Sequence, residues 1–427
     1  MNFDVCIVGG GPAGSTLALR LSRMGFSVVM VERSAFTRSR GGESVHPDAG
    51  ILLPAGIPGR PIHRARMRWA DDGIVDRLYR RPQIAVARPS FDAFLVDCAR
   101  RAGVTILQPA VATDGVRRRD DWVLRIGSRS IRARFLVDAS GRSSWLRTGR
   151  TRTSERTMAF RATFGDAGLP AESRIEALEG GWIWGSPMPD GAYAVIALID
   201  TAARRDFVSL VAEAVLFREL PKATRVECHD ATTYAAKVPC EDGLVRVGDA
   251  SHSLDPLSSS GIRSAMQSAL HAAVVINTVL RKPDRTSIAR RFYNEAQQAS
   301  VQQHAGWTRG FYAQSRFGEH PFWRCRKGTV PIETAVRSTA PVAIAAGVRV
   351  MELPCIAGEF VELRRGITHP LLPRAFAWIG GVEAESLLAP LANGPLAREQ
   401  LLASWSGIAP EQRQVVFESL VRSRILE

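Results

Sequence analysis

Lysine is almost missing from this 427-residue chain. Of 56 basic residues only Lys222, Lys237, Lys282 and Lys327 are lysine, and the first 221 positions hold none. Any chemistry that needs a lysine amine from that half is excluded. Cysteine is also scarce: Cys6, Cys98, Cys228, Cys240, Cys325 and Cys355 form no C-x-x-C and no ligand-like spacing with histidine. Neither a disulfide framework nor a zinc site is indicated, no metal is expected, and a reducing cytoplasm is the expected location. Long apolar runs are absent as well, since "ALHAAVVINTVL" falls short of the roughly 20 residues that cross a bilayer. The start, "MNFDVCIVGGG", lacks the basic flank and cleavage site of a signal peptide. No membrane partner is expected.

What is present is a globular composition, 45% hydrophobic, in a length that suits two or three packed domains. The net charge of +14 would suit nucleic acid. The arginines are spread over the whole chain rather than gathered in a run, so no nucleic-acid partner is expected. Compositional bias toward arginine, an anionic cofactor and an acidic partner surface all remain as explanations of the charge.

The N-terminal residues carry a phosphate-binding pattern. "FDVCIVGG" is a short apolar run, "GGGPAGSTLALRLSRMG" turns helical after a glycine-rich start, and "FSVVMVER" is a second apolar run ending in an acid. In Gly9-x-Gly11-x-x-Gly14 the first glycine allows a tight turn, the second lets the backbone approach a pyrophosphate, and the third lets helix and strand pack closely. Glu32 ends the second strand, where it would accept hydrogen bonds from a ribose. Farther on, "IAVARPSFDAFLVDCARRAGVTIL" reads as strand, helix and strand around Arg88, and "FLVDASGRSSWLR" as a strand ending in Asp138. Alternating runs from 152 to 237 predict an antiparallel sheet. "GLVRVGDASHSLDPLSSSGIRSAMQ" returns to the first domain, with a helix whose N-terminus near Gly261 and Ile262 offers free N–H groups to an anion.

Three blocks in order, "GGGPAGSTLALRLSRMGFSVVMVER", "VARPSFDAFLVDCARRAG" and "VRVGDASHSLDPLSSSGI", resemble the FAD-dependent monooxygenase and halogenase superfamily with the p-hydroxybenzoate hydroxylase type of fold. The resemblance covers about the first 280 residues. It implies an α/β chain: a Rossmann-like, discontinuous FAD-binding domain (1–151 and 238–285) with an inserted antiparallel substrate sheet (152–237). A helical connecting region (286–374) and a small helical, winged-helix-like domain (375–427) would follow. The resemblance places Gly9, Gly11, Pro12, Ala13, Gly14, Glu32, Arg33, Arg88, Asp138 and Asp249 along FAD. It brings Gly42, Glu43 and Ser44, and the turn from Pro256 to Gly261 and Ile262, toward the flavin. NAD(P)H would reduce the flavin and a C4a-hydroperoxide would carry oxygen to an electron-rich ring. No second G-x-G-x-x-G is present, as in single-component members.

"WIWGSP" is similar to the W-x-W-x-I-P signature of flavin-dependent halogenases, with Ser186 where isoleucine is usual. Those enzymes also use a lysine to capture hypohalous acid, and here only Lys222 or Lys237 could stand in. Oxygen transfer is therefore expected instead of halogenation. The "GGESVHPDAG" loop, "DPLSSSG", the aromatic "HPFWRCRK" segment and the C-terminal helices resemble the flavoproteins that hydroxylate a peptidyl tryptophan in tryptophylquinone biogenesis. That likeness implies a partner protein bearing the target tryptophan.

Competing expectations are a small-molecule aromatic hydroxylase, an isoprenoid reductase and a non-catalytic flavin-bearing interaction protein. Trp182 and Trp184 share one strand face and either fill a core or wall a pocket, with Pro187 beyond them. Glu43 is either an acid–base group or a helix cap, and His46 is a pocket candidate. Asp255 either positions substrate or shapes the turn before Pro256, and His252 reads as structural.

Overall fold

The computed structural model describes the chain except residues 37–41, 47–51, 53, 147–148, 166–167, 169–171, 201–205, 222, 224, 329–340 and 373. Two compact units result, Met1–Ala273 with His304–Val330, and Val274–Gln303 with Pro331–Glu427.

The first unit holds two large sheets. In one, the path runs Cys240–Glu241, Leu244–Arg246, Arg129–Asp138, Asn2–Val8, Val28–Val31, Thr105–Leu107, with the hairpin Ala112–Arg118 and Asp121–Ile126 attached to Arg129–Asp138. Asn2–Val8 lies centrally and runs parallel to both neighbours. Parallel strands are covered on both faces, which is why these segments are nearly unbroken apolar runs and why Val5, Cys6 and Ile7 are fully buried. Helix Pro12–Arg23 starts with proline at a position where its missing N–H costs nothing. Its Ala13, Leu17, Ala18 and Leu21 are buried, and Arg20 and Arg23 sit at its negative end.

The second sheet runs Val226–Asp230, Thr157–Phe164, Tyr193–Asp200, Gly181–Pro187, Ser173–Leu178, Arg60–Arg68, Val75–Ala87, Gly42–Val45. All its pairings are antiparallel except Ser173–Leu178 with Arg60–Arg68. This sheet is larger than the 152–237 segment expected, because three strands come from before residue 88. The arginine-rich "RPIHRARMR" and "VDRLYRRPQIAVA" bury only Ile62, Ala85 and Val86, so apart from the "IAVA" end read as a strand they lack the apolar alternation that announces one. On one face Phe164, Ile183, Val195 and Ala197 pack on Phe207, Leu210 and Phe217. On the other, Ala177, Trp182 and Leu198 join Trp69, Tyr312, Phe322 and Trp323. Residue alternation along each strand divides the two clusters.

The second unit combines the C-terminal part of helix Gly261–Arg281, most of helix Thr286–Ala313, a long hairpin and a helical end. The hairpin, Arg349–Ala357 with Phe360–Thr368, stands inside the stretch 286–374 expected to be helical. Gly358 turns it at φ +61, a left-handed value that glycine adopts without strain. Helices Ala384–Leu388, Arg398–Ser404 and Pro410–Arg422 gather Leu387, Leu401, Trp405, Val416 and Leu420 into a core of their own. No described helix is long and apolar enough to cross a membrane.

Candidate active site

Two adjoining cavities open in the first unit. The first, about 630 Å³, runs along the ends of the parallel strands. Gly9 has φ +114, and a Cβ there would lie 2.2 Å from the Ala139 carbonyl oxygen. A Cβ on Gly14 would lie 1.9 Å from the Gly9 oxygen, so the helix can sit this close to the strand only without a side chain. At Gly11 nothing stands within 4 Å of such an atom, and the open space belongs to the groove. The N-terminus of helix Pro12–Arg23 faces that space with uncapped N–H groups and a positive dipole end.

Glu32, only 7% exposed, is held by the Gly10 N–H (2.6 Å) and the Ser34 N–H (2.7 Å). It lines the groove with Gly9, Gly11, Pro12, Ala13 and Arg33. Asp138 does not. Its carboxylate accepts from the Ser140 N–H (3.1 Å) and the Ser140 hydroxyl, and so shapes the turn that puts Ser140, Gly141 and Ser144 on the wall. The Ser144 hydroxyl is buried there without a protein partner. Asp249 lines both cavities, with no described donor to its carboxylate, and burial pushes its pKa upward against the pull of Arg142. A glycine cradle, a helix N-terminus, a strand-end acid and waiting polar groups fit a dinucleotide.

The second cavity, about 800 Å³, adjoins the first through Arg33, Glu43, Arg88, Ser140, Gly141, Asp249 and Gly261, which line both. Ala159, Ile175, Trp182, Trp184, Ile196 and Leu257 make its apolar wall, while Arg142, Arg161, Glu227, His229 and Asp230 make a polar end. Arg88 opens helix Arg88–Arg101 and is clamped by Glu43 (2.5 Å) and by both oxygens of Asp92 (3.1 and 3.0 Å). Burial pushes the Glu43 carboxyl up, but Arg88 and Arg161 outweigh it and hold the group below its usual range. Glu43 is therefore a charged strut, lying on strand Gly42–Val45 instead of capping a helix.

Trp182 and Trp184 answer the question of core or wall differently. Trp182 is both: it is 2% exposed, yet its ring lines the cavity. Its indole N–H donates to the Tyr312 hydroxyl (3.1 Å), which donates to Asp255 (2.8 Å). The other Asp255 oxygen accepts the Leu257 N–H (3.0 Å), and the Asp255 N–H donates to His304 (3.1 Å). Trp184 is half-buried on the same wall. Asp255 thus shapes the turn, as one reading held, while also holding the wall through Tyr312.

The remaining expected residues are placed as follows. Ser44 lines the second cavity and donates to Gln83 (2.6 Å), Pro256 and Gly261 line it too, and Ile262 lines the groove. Gly14, His46 and Pro187 lie off both walls, Pro187 ending its strand opposite Tyr193, and Gly42 opens strand Gly42–Val45 opposite Ala87. His252 is buried beside the Ser264 hydroxyl (3.2 Å), with desolvation lowering its pKa to about 4. Lys237 is exposed, and neither it nor Lys282 or Lys327 lines either of these two cavities; Lys222 lies outside the described residues. Sequence reading missed Arg142, Arg161, Glu227, His229 and Tyr312. Only Asp92, four residues after Arg88 on one helix face, had a local signal.

Such a fold and groove define a flavoprotein of the FAD-dependent halogenase and monooxygenase class, with FAD as its cofactor. The tryptophan halogenase family model matches residues 85–352, more than half of the chain, and an FAD binding domain model matches residues 2–46. The chain belongs to the tryptophan halogenase family. It is 26% identical over 368 residues to the tryptophan 2-halogenase of Chondromyces crocatus, covering 76% of this chain and 70% of that one. It is 24% identical over 366 residues to the FAD-dependent oxidoreductase LodB of Marinomonas mediterranea, covering 76% and 97%. Among solved structures it is similar to the peptidyl tryptophan dihydroxylase QhpG, essential for tryptophylquinone cofactor biogenesis. There the identity is 26% and the TM-score 0.76, with 99% of each chain covered.

Proposed function

We propose that this protein is an FAD-dependent monooxygenase that hydroxylates the indole ring of a tryptophan carried by a partner polypeptide, with NAD(P)H as electron donor. One observation carries the reading: an aromatic cavity adjoins the FAD groove, and none of the described lysines lines it. The near end-to-end likeness to a peptidyl tryptophan dihydroxylase supports the same substrate class. Bound FAD, once reduced, supplies activated oxygen for an electron-rich ring.

The chain's own residues orient and enclose. Half-buried Trp184 offers aromatic surface against which an indole packs, and Trp182 is held in the same wall by Tyr312. Ile175, Ile196 and Leu257 exclude water from that half. The Glu43–Arg88–Asp92 clamp fixes the shared wall, where Asp249 has a carboxylate free to accept a hydrogen bond from a bound hydroxyl.

Halogenation is the second reading, favoured by "WIWGSP" and by the family match. A competition separates the two. The FAD-loaded protein, given NADH, air and bromide, is offered a tryptophan-centred peptide and free tryptophan. Oxygen gained by the peptide supports the proposal, and bromine gained by either substrate refutes it. Oxygen on free tryptophan alone points to a small-molecule hydroxylase.

A further inference from the structure

Strand Val226–Asp230 ends the second sheet, pairing only with Thr157–Phe164 among the described residues. It is exposed along its length except at half-buried Glu227, with Val226 at 39%. The Ala231 N–H donates to Thr157 (2.8 Å), which sets the parity of the ladder. By the alternation of antiparallel bonds, Glu227 and His229 direct their backbone groups to the neighbouring strand, and Val226, Cys228 and Asp230 direct theirs outward. An outward row of N–H and C=O groups is a template for another extended chain.

The position of this edge gives it significance. Glu227, His229 and Asp230 line the second cavity, so the edge is its rim. A chain laid alongside, about 4.8 Å away, would direct every second side chain to the cavity face. The charges along the edge are mixed and paired with one another, Arg225 with Glu227 (3.0 Å) and Asp230 with Arg142 (4.0 Å), so its place at the cavity rim, and not charge, points to the occupant.

We propose that the Val226–Asp230 edge is the docking strand for the polypeptide substrate, pairing with an extended segment that flanks the target ring. This rests on the peptidyl-substrate reading above and adds to it the mode of recognition. The flanking residues pair with the outward groups, and the chain then turns in over Glu227 and His229 to deliver the ring. With backbone bonds supplying the affinity, the flanking sequence needs only to be extended.

The test is binding of a fluorescein-labelled peptide, with a central tryptophan and threonine–serine flanks, to the FAD-loaded protein. Backbone N-methylation of alternate flanking residues removes pairing and leaves the side chains. On the protein, Cys228→Pro removes an outward N–H without touching the inner ladder, and Cys228→Ala controls for the thiol. The N-methylated peptide and C228P should each weaken binding about tenfold, with C228A unchanged. If C228P loses its FAD, the N-methylated peptide on the unaltered protein decides alone. Equal binding of plain and methylated peptides overturns the docking strand and leaves the peptidyl reading standing. If no peptide binds, while free tryptophan still perturbs the flavin absorbance, both fall.

Discussion

Replacing Tyr312 by phenylalanine removes one oxygen and nothing else, yet that oxygen joins two parts of the site. It accepts from the Trp182 indole N–H at 3.1 Å and donates to Asp255 at 2.8 Å. Trp182 and Tyr312 are each 2% exposed, so water does not readily replace the lost partner. An orphaned buried N–H costs about 1–2 kcal/mol, and losing a hydrogen bond to a carboxylate about 1–2 more, giving roughly 2–4 kcal/mol in all. The assay is urea unfolding of the FAD-loaded variant, followed by flavin release and tryptophan emission. Combining Tyr312→Phe with Asp255→Asn should give a coupling energy of about 1 kcal/mol or more, because the two side chains touch. A loss below about 0.5 kcal/mol with additive effects would refute the idea that this chain of bonds holds the wall.

Other consequences follow from the same geometry. Gly14→Ala puts a Cβ 1.9 Å from the Gly9 oxygen, so helix and strand must part; FAD retained through gel filtration should fall by about tenfold or more. Arg161→Met removes one of the two cations that hold Glu43 down; the Glu43 carboxyl should titrate higher, read by infrared difference spectroscopy with labelled glutamate. His252, 4% exposed, has a folded pKa of about 4 against an ordinary 6.5. The unfolded chain therefore binds more protons between those values. Stability should be complete above about pH 6.5 and fall toward pH 4, by up to about 3 kcal/mol from this residue. Urea unfolding at both pH values checks it, and a His252→Gln variant that keeps the full slope would contradict it.

The nucleotide-binding half was legible because its devices are local. Gly9, Gly11 and Gly14 are spaced by backbone mechanics, and Glu32 follows its strand directly. Trp182 and Trp184 were legible as a pair on one face, since strand periodicity is also local. Their division of labour was not, because the Tyr312 hydroxyl comes from a residue 130 positions away. Strand Arg60–Arg68 and the arginine-rich start of Val75–Ala87, whose "IAVA" end alone was legible, were hidden for a different reason. They bury few side chains, and backbone pairing leaves no mark in a hydrophobic pattern. The polar end of the cavity shares that fate: Arg161 and Glu227 are cross-strand partners whose approach is set by sheet register. The hairpin Arg349–Ala357 with Phe360–Thr368 had its signal in Gly358, within a stretch otherwise read as helical.

The central claim is that oxygen from the flavin site reaches an indole held in a polypeptide. Its most direct test supplies the FAD-loaded protein with NADH and isotopically heavy oxygen gas in ordinary water, together with a tryptophan-bearing peptide. The account predicts heavy oxygen mapped by fragmentation to the indole ring. Full NADH consumption with no label on the tryptophan would contradict it.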